Sequence, residues 1–156
     1  MRRLFWFPTP RETYRAAACA IGCFDARFEL AVRKFLRRRA GQWVDHVKLA
    51  GGVRALASPV EDWEREFALR QVRAAAFLHG AEHVILMAHA DCAAYGGLAA
   101  FQGDEAREAA HHRRELERAA AAVAESFPGM AVERLYLNFE GVWEADDTVE
   151  HSAREY

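Results

Sequence analysis

The most informative part of this chain is Ala20–Arg27, with the sequence Ala-Ile-Gly-Cys-Phe-Asp-Ala-Arg. Here the end of an apolar run passes into a turn that carries a thiol, a carboxylate and a guanidinium group. A second stretch, Val84–Cys92, has the sequence Val-Ile-Leu-Met-Ala-His-Ala-Asp-Cys and also changes from apolar to metal-capable side chains. Apolar runs of this kind are typical of strands buried on both faces of a parallel sheet. The two strand ends therefore predict one shared site.

Strand and helix patterns alternate along the rest of the chain. We predict strands at residues 14–22, 43–50, 83–88 and 130–139, and helices at residues 28–39, 61–79 and 104–127. This alternation predicts a single α/β domain with a mainly parallel central β-sheet of about four to five strands, flanked by helices. Ligands of such sheets bind beyond the carboxyl ends of the strands, where both stretches and the glycine pair Gly51–Gly52 fall.

The chain divides into three parts by composition. Residues 1–13 form an N-terminal arm that carries the apolar run Leu4–Phe7, residues 14–140 form the α/β domain, and residues 141–156 form an acidic, weakly patterned C-terminal tail. The arm has two interpretations. It packs on its own domain, or it packs on a second subunit.

Composition excludes several classes of function. With 156 residues, 28% charged residues and a formal net charge of −2, the chain fits one globular domain and gives no reason to expect nucleic acid or membrane as a partner. No run approaches the roughly 20 apolar residues of a membrane span, and the N-terminal apolar run is too short for a signal peptide. Three cysteines without an export signal favour free thiols or metal ligands over disulfides, so we expect a cytoplasmic protein.

The side chains of Cys23, His89 and Cys92 predict a zinc site. Zinc favours thiolate and imidazole ligands, and catalytic sites commonly use three protein ligands and leave the fourth position open. A His-x-x-Cys pair alone is more often a capping histidine beside a buried cysteine. Its combination with Cys-x-Asp-x-Arg at another strand end favours a metal site over this alternative.

Asp25 and Arg27 are the candidate catalytic residues. An arginine can grip a carboxylate through two hydrogen bonds and fix its orientation, which keeps Asp25 ionised and able to accept a hydrogen bond from zinc-bound water. The alternative is a salt bridge at a strand end without chemistry. We expect Asp91 to orient a ligand or cap the next helix.

The remaining thiol and the helical histidines are expected to lie outside the site. Cys19 lies about 13 Å from Cys23 along a strand, beyond the roughly 7 Å that a disulfide allows, and we place it in the core. His111 and His112 lie on the charged helix and are expected to be solvated.

Together these motifs resemble the β-class carbonic anhydrases. Cys23–Arg27 matches the family's Cys-x-Asp-x-Arg motif, His89–Cys92 its His-x-x-Cys motif, and Ala50–Val53 its glycine-containing segment after the second strand. The resemblance covers roughly residues 15–100. The chain departs from the family at Ala26, where many members have Ser, and at Ala93, where Gly is usual.

The resemblance implies zinc held by Cys23, His89 and Cys92, with no other cofactor, and an Asp25–Arg27 pair that serves the zinc-bound water. It implies reversible hydration of carbon dioxide to bicarbonate by zinc-bound hydroxide. It also implies a homodimer or higher homo-oligomer whose N-terminal segments embrace the partner.

Two alternatives remain at this point. One is a non-catalytic zinc protein whose site is closed by Asp25, and the other is a hydrolase of carbon disulfide or carbonyl sulfide. A thiol redox protein is disfavoured because the chain has no Cys-x-x-Cys motif.

Overall fold

A computed structural model describes residues 1–41 and 43–145. Its strands and helices, in chain order, are β1 (Ala18–Cys23), α1 (Ala26–Ala40), β2 (Val44–Leu49), α2 (Arg54–Ala57), α3 (Asp62–His79), β3 (His83–His89), α4 (Glu105–Ser126), β4 (Ala131–Leu137) and β5 (Val142–Glu144). Two short 3₁₀ helices, Ala93–Tyr95 and Leu98–Phe101, connect β3 to α4. None of the described helices is long and apolar enough to cross a bilayer.

The strands form one sheet in the order β2-β1-β3-β4-β5. β1 to β4 are parallel, and β5 runs antiparallel to β4. One face packs on α1 through a cluster that includes Phe28, Leu36 and Ile85, and the other face packs on α2, α3 and α4 through a cluster that includes Leu56, Leu86 and Leu116. The predicted fold class, a mainly parallel sheet of about four to five strands between helices, is confirmed.

Helix ends follow local capping chemistry. Asp25 begins α1 by accepting a hydrogen bond from the backbone N–H of Arg27, and Asp104 begins α4 in the same way with Arg107. α3 ends at His79 and is followed by Gly80, which has a left-handed φ of 66° and forms the C-cap.

The structure differs from the sequence prediction at both ends of the domain. Residues 14–17 are not part of β1: the backbone N–H of Ala16 donates to the His79 carbonyl oxygen, and the Tyr14 hydroxyl donates a hydrogen bond to Asp45 Oδ1 at 2.7 Å. β5 lies in the segment predicted as tail. It follows a turn in which the Asn138 side chain accepts hydrogen bonds from the backbone N–H groups of Glu140 and Gly141. Residues 146–156 of that predicted tail lie outside the described residues.

The expectation that His112 is solvated is wrong. Its side chain is completely buried, because α4 turns a stripe that contains Glu108, His112 and Leu116 toward the sheet. These positions follow the i, i+4 spacing of a helix face that points inward. The polar residues on this face, Glu108 and His112, lie toward the loop that joins His89 to Cys92. Cys19 is completely buried, which confirms the prediction that it lies in the core.

Candidate metal centre

The two strand ends bring three metal-capable side chains together. Cys23 is the last residue of β1, His89 is the last residue of β3, and Cys92 follows three residues later. Because β1 and β3 are neighbouring parallel strands, both end at the same edge of the sheet. One ligand atom from each of Cys23, His89 and Cys92 lies within 4.8 Å of the others, so the cluster could bind one metal ion.

The imidazole of His89 is fixed in the tautomer that a metal requires. Its Nδ1 lies 2.8 Å from the Ala90 carbonyl oxygen, to which it donates a hydrogen bond, so the lone pair is on Nε2. Nε2 is buried and makes no hydrogen bond of normal geometry among residues 1–41 and 43–145, while the nearby Cys23 sulfur raises the pKa of His89 against the effect of burial. A buried acceptor without a partner is costly, and a metal ion would satisfy it.

The two sulfur atoms are set up to carry negative charge. A hydrogen bond between Cys23 and Cys92 lowers the pKa of Cys23 and raises that of Cys92, so the pair shares one proton in the absence of metal. Burial opposes the lowering of the Cys23 pKa, whereas His89 and the nearby backbone of Asp25 and Gly51 support it; the backbone near Ala94 and Tyr95 moderates the rise in the pKa of Cys92. Two thiolates and one neutral imidazole are a donor set that fits zinc and neutralises its charge.

The glycine pair lets the loop after β2 approach Cys23. Gly52 has φ +56°, and a Cβ atom there would lie 2.7 Å from the backbone nitrogen of Cys23 and 2.7 Å from the carbonyl carbon of Gly22. Gly51 has φ +71°, and its Cβ would lie 2.9 Å from the side chain of Ala94, next to the second thiol. Only glycine allows this close packing of three loops.

Arg27 holds Asp25 beside this centre. The Arg27 Nε lies 3.0 Å from Asp25 Oδ1 and 3.1 Å from Oδ2, and its Nη2 donates to Oδ2 at 2.7 Å. These hydrogen bonds lower the pKa of Asp25 to about 2, with burial acting against them and the backbone N–H of Arg27 adding to them. Asp25 is therefore ionised at neutral pH.

The side chain of Asp91 forms hydrogen bonds with both the second 3₁₀ helix and Arg27 of α1. Its Oδ1 accepts the backbone N–H of Leu98 at 3.0 Å, which caps the second 3₁₀ helix. Its Oδ2 accepts a hydrogen bond from Arg27 Nη1 at 2.8 Å. Sequence reasoning expected Asp91 to orient a ligand or cap the next helix; its side chain hydrogen-bonds the second 3₁₀ helix rather than the adjacent one at Ala93–Tyr95, and the contact with Arg27 was not expected.

A small cavity of about 10 Å³, room for one water-sized molecule, opens beside the cluster on the α1 side of the sheet. Its lining is mostly apolar and comprises Gly22, Cys23, Phe28, Glu29, Val32, His46, Lys48, Met87, Ala88, His89 and Leu137. Lys48 and Glu29 form an ion pair at this cavity. His46 Nε2 is buried and has no hydrogen-bond partner in the described part of the chain.

Sequence reasoning missed His46 and Glu108. His46 lies on β2 two residues before Lys48, so alternation places both side chains on the face of the sheet that α1 covers. The two-residue spacing between His46 and Lys48 could have identified His46 as a residue of this face. Glu108 Oε1 accepts the backbone N–H of Asp91 at 2.8 Å across a loop, a contact that no local pattern predicts.

Comparison with solved structures places the fold among β-carbonic anhydrases. The β-carbonic anhydrase isoform I of Trichomonas vaginalis is 11% identical, with 90% of this chain and 87% of that chain covered and a TM-score of 0.60. The carbonic anhydrase of Streptococcus mutans is 14% identical, with coverage of 89% and 88% and a TM-score of 0.58. The carbonic anhydrase of Glaciozyma antarctica is 18% identical, with coverage of 86% and 84% and a TM-score of 0.56.

No curated protein matches the chain. A protein family does match it: the family described as "Putative carbonic anhydrase" covers residues 13–146, which is most of the sequence and includes both motifs. The chain therefore belongs to this carbonic anhydrase family and has the fold of the β class.

Proposed function

We propose that this protein is a zinc enzyme that hydrates carbon dioxide reversibly to bicarbonate. The observation that carries the proposal is the convergence of Cys23, His89 and Cys92 within 4.8 Å, next to an ionised Asp25. Family membership supports the same activity. In this reaction one water and one carbon dioxide give bicarbonate and a proton, which leaves to solvent.

Cys23, His89 and Cys92 would hold the zinc ion. When bound, zinc acts as a Lewis acid that lowers the pKa of water to about 7 and so provides a nucleophile at neutral pH. Asp25 accepts a hydrogen bond from the O–H group of the reacting water or of bicarbonate, because its carboxylate remains ionised. Arg27 fixes the orientation of that carboxylate through the Nε and Nη2 contacts.

The cavity beside the cluster suits an apolar substrate. Phe28, Met87 and Leu137 contribute apolar surface next to Cys23 and His89. A small, uncharged molecule such as carbon dioxide can enter this lining without losing hydrogen bonds. The apolar lining does not separate carbon dioxide from its sulfur analogues.

The test is stopped-flow carbon dioxide hydration with protein that holds one zinc per chain. Cys92→Ser should lose most of the zinc and the activity, because a neutral hydroxyl replaces a thiolate ligand. Cys19→Ala is the matched control: this cysteine is buried in the core four residues before Cys23, so its loss should leave zinc and turnover in place.

Three results would contradict the proposal. Full zinc content in Cys92→Ser would show that the ligand set is wrong. A zinc-loaded wild-type protein without turnover between pH 7 and 8.5 would favour a site closed by Asp25. Turnover only with carbon disulfide or carbonyl sulfide would make it a hydrolase of those compounds.

We extend the proposal to a homodimer or higher homo-oligomer in the cytoplasm. The arm supports this assembly, since Leu4, Phe5, Trp6 and Phe7 are exposed and the arm forms no helix or strand. Three free cysteines, two of them in the metal cluster, fit a reducing compartment.

The assembly is tested by measuring molar mass in solution. Replacement of Phe5 and Phe7 by Ser should shift the protein toward monomer, whereas Leu30→Ser, an exposed apolar residue on α1, should not. A wild-type monomer, or equal effects of both changes, would refute the role of the arm.

A further inference from the structure

The guanidinium group of Arg27 is held from two sides. One edge, Nε and Nη2, faces Asp25 as described above. The other edge, Nη1 and Nη2, faces Asp91: Nη1 donates to its Oδ2 at 2.8 Å, and Nη2 donates to its backbone carbonyl at 2.9 Å. Asp25 and Asp91 therefore share one cation, and the position of each depends on the other through it.

Two aromatic rings, which pack on each other, lie on one side of the guanidinium group. The Arg27 Cζ atom lies 5.5 Å from the ring centroid of Phe139 and 5.9 Å from that of Phe28. Arg27 is nevertheless almost half exposed, with a side-chain exposure of 46%, so hydrogen bonds rather than burial must fix its orientation.

Asp91 is itself fixed by a residue that lies far from it in sequence. It has φ 52°, an uncommon conformation for a residue other than glycine. Its backbone N–H donates to Glu108 Oε1 at 2.8 Å. Its side chain caps the second 3₁₀ helix. With the two contacts to Arg27, every polar group of Asp91 has a partner.

Glu108 ties this loop to the body of the domain. It lies on the inward stripe of α4 with an exposed fraction of 1%. Burying a carboxylate is costly unless it makes good hydrogen bonds. The contact with Asp91 anchors the loop that separates His89 from Cys92 to α4. Hydrogen bonds thus connect Glu108 to Asp91, Asp91 to Arg27, and Arg27 to Asp25, from a packed helix to the metal centre.

We propose that Asp91 and Glu108 are positioning residues for the Arg27–Asp25 pair. Asp91 holds the guanidinium edge that Asp25 does not use, and Glu108 holds Asp91 in its left-handed conformation. The consequence for chemistry is that Asp25 keeps one orientation beside the zinc ligands. This inference rests on the proposed function only where it concerns turnover.

The first readout does not involve catalysis. In zinc-loaded protein with ¹⁵N-labelled arginine, the Nε–H signal of Arg27 is assigned by its loss in Arg27→Lys. Asp91→Asn keeps an oxygen for the Leu98 cap but removes the charge that faces Nη1. It should speed solvent exchange of the Arg27 Nε–H relative to wild type, because the guanidinium group is then held from one side only.

The role of Glu108 is separated from simple packing by three variants. Glu108→Met keeps the volume but removes the acceptor, and it should speed the same exchange. Glu108→Gln keeps an acceptor and should restore slow exchange. Glu105→Gln is the control, because Glu105 is exposed on the first turn of the same helix. Equal exchange in the Met and Gln variants would overturn the role of Glu108.

The second readout is turnover. Asp91→Asn should lower kcat about 10-fold with little change in KM and with zinc retained. In an Arg27→Ala background the same change should have no further effect, because Asp91 acts through Arg27. An equal loss in both backgrounds, or unchanged exchange of the Arg27 Nε–H in Asp91→Asn, would refute the proposal. If zinc-loaded wild type shows no turnover, the proposed function fails, and the exchange experiment still decides this inference.

Discussion

Gly52→Ala should destabilise the protein by more than the strain of its backbone conformation alone. An L-residue in the left-handed region costs about 1–2 kcal/mol. At Gly52 the new methyl group would also lie 2.7 Å from the Cys23 nitrogen, a distance at which backbone atoms must move. Forcing a carbon into a well-packed site costs a further ~1–3 kcal/mol. We therefore expect a total loss of about 2–5 kcal/mol in the free energy of unfolding.

Gly103→Ala separates the two contributions. Gly103 has φ +79°, and a Cβ atom there would have nothing within 4 Å. Gly103→Ala should lower the free energy of unfolding only by the cost of the left-handed conformation, about 1–2 kcal/mol. The assay is urea unfolding of both variants and wild type without metal, with equal slopes required for the comparison.

The same pair of variants tests the connection with the metal centre. Because the clash in Gly52→Ala is with the backbone of Gly22 and Cys23, this variant should also bind zinc more weakly in a chelator competition, whereas Gly103→Ala should not. If the two variants lose stability equally within about 0.5 kcal/mol, the close approach seen at Gly52 has no energetic consequence and the reasoning is wrong.

Two further predictions concern charge. Arg27→Ala should leave zinc bound but lower turnover at least about 10-fold, since Asp25 loses the partner that orients it; unchanged turnover would remove the pair from the mechanism. Removal of Arg27 should also raise the pKa of Asp25 from about 2. The ionised Asp25 then contributes less to the free energy of unfolding at pH values above its unfolded pKa. Acid unfolding of Arg27→Ala and wild type between pH 5 and pH 2 checks this. Burial lowers the pKa of His112 to about 4, whereas the unfolded value is about 6.5. Unfolding then takes up a proton, so the stability contributed by neutral His112 is complete above pH 6.5 and is lost as the pH falls toward 4. His112→Leu should therefore lose less stability than wild type between pH 7 and pH 5 in urea unfolding; equal losses in wild type and His112→Leu would contradict the assignment.

The convergence of Cys23, His89 and Cys92 could be predicted from the sequence because it depends on local features. Each ligand follows an apolar run, and parallel strands place their carboxyl ends at one edge. The sequence motif Cys-x-Asp-x-Arg likewise predicts the Asp25–Arg27 contact, since residues two apart in an extended turn can point the same way.

Features that depend on long-range packing could not be predicted in the same way. The inward stripe of α4 carries Glu108, His112 and Glu115, which on a helix wheel look like a solvated face. The two carboxylates are buried with hydrogen bonds from Ser58, Tyr95 and Asp91 of other elements, whereas the ring nitrogens of His112 have no hydrogen-bond partner in the described part of the chain. β5 was missed because its three residues carry too weak a pattern, and pairing with β4 is what defines it.

The most direct test of the metal site is the X-ray absorption spectrum of the zinc-loaded protein at the zinc edge. We expect two sulfur ligands at about 2.3 Å, from Cys23 and Cys92, and one imidazole nitrogen at about 2.0 Å, from His89, with a light atom in the fourth position. Cys19→Ala should give the same spectrum, and Cys92→Ser should lose one sulfur. A zinc ion surrounded only by nitrogen and oxygen would contradict the site that the two strand ends form.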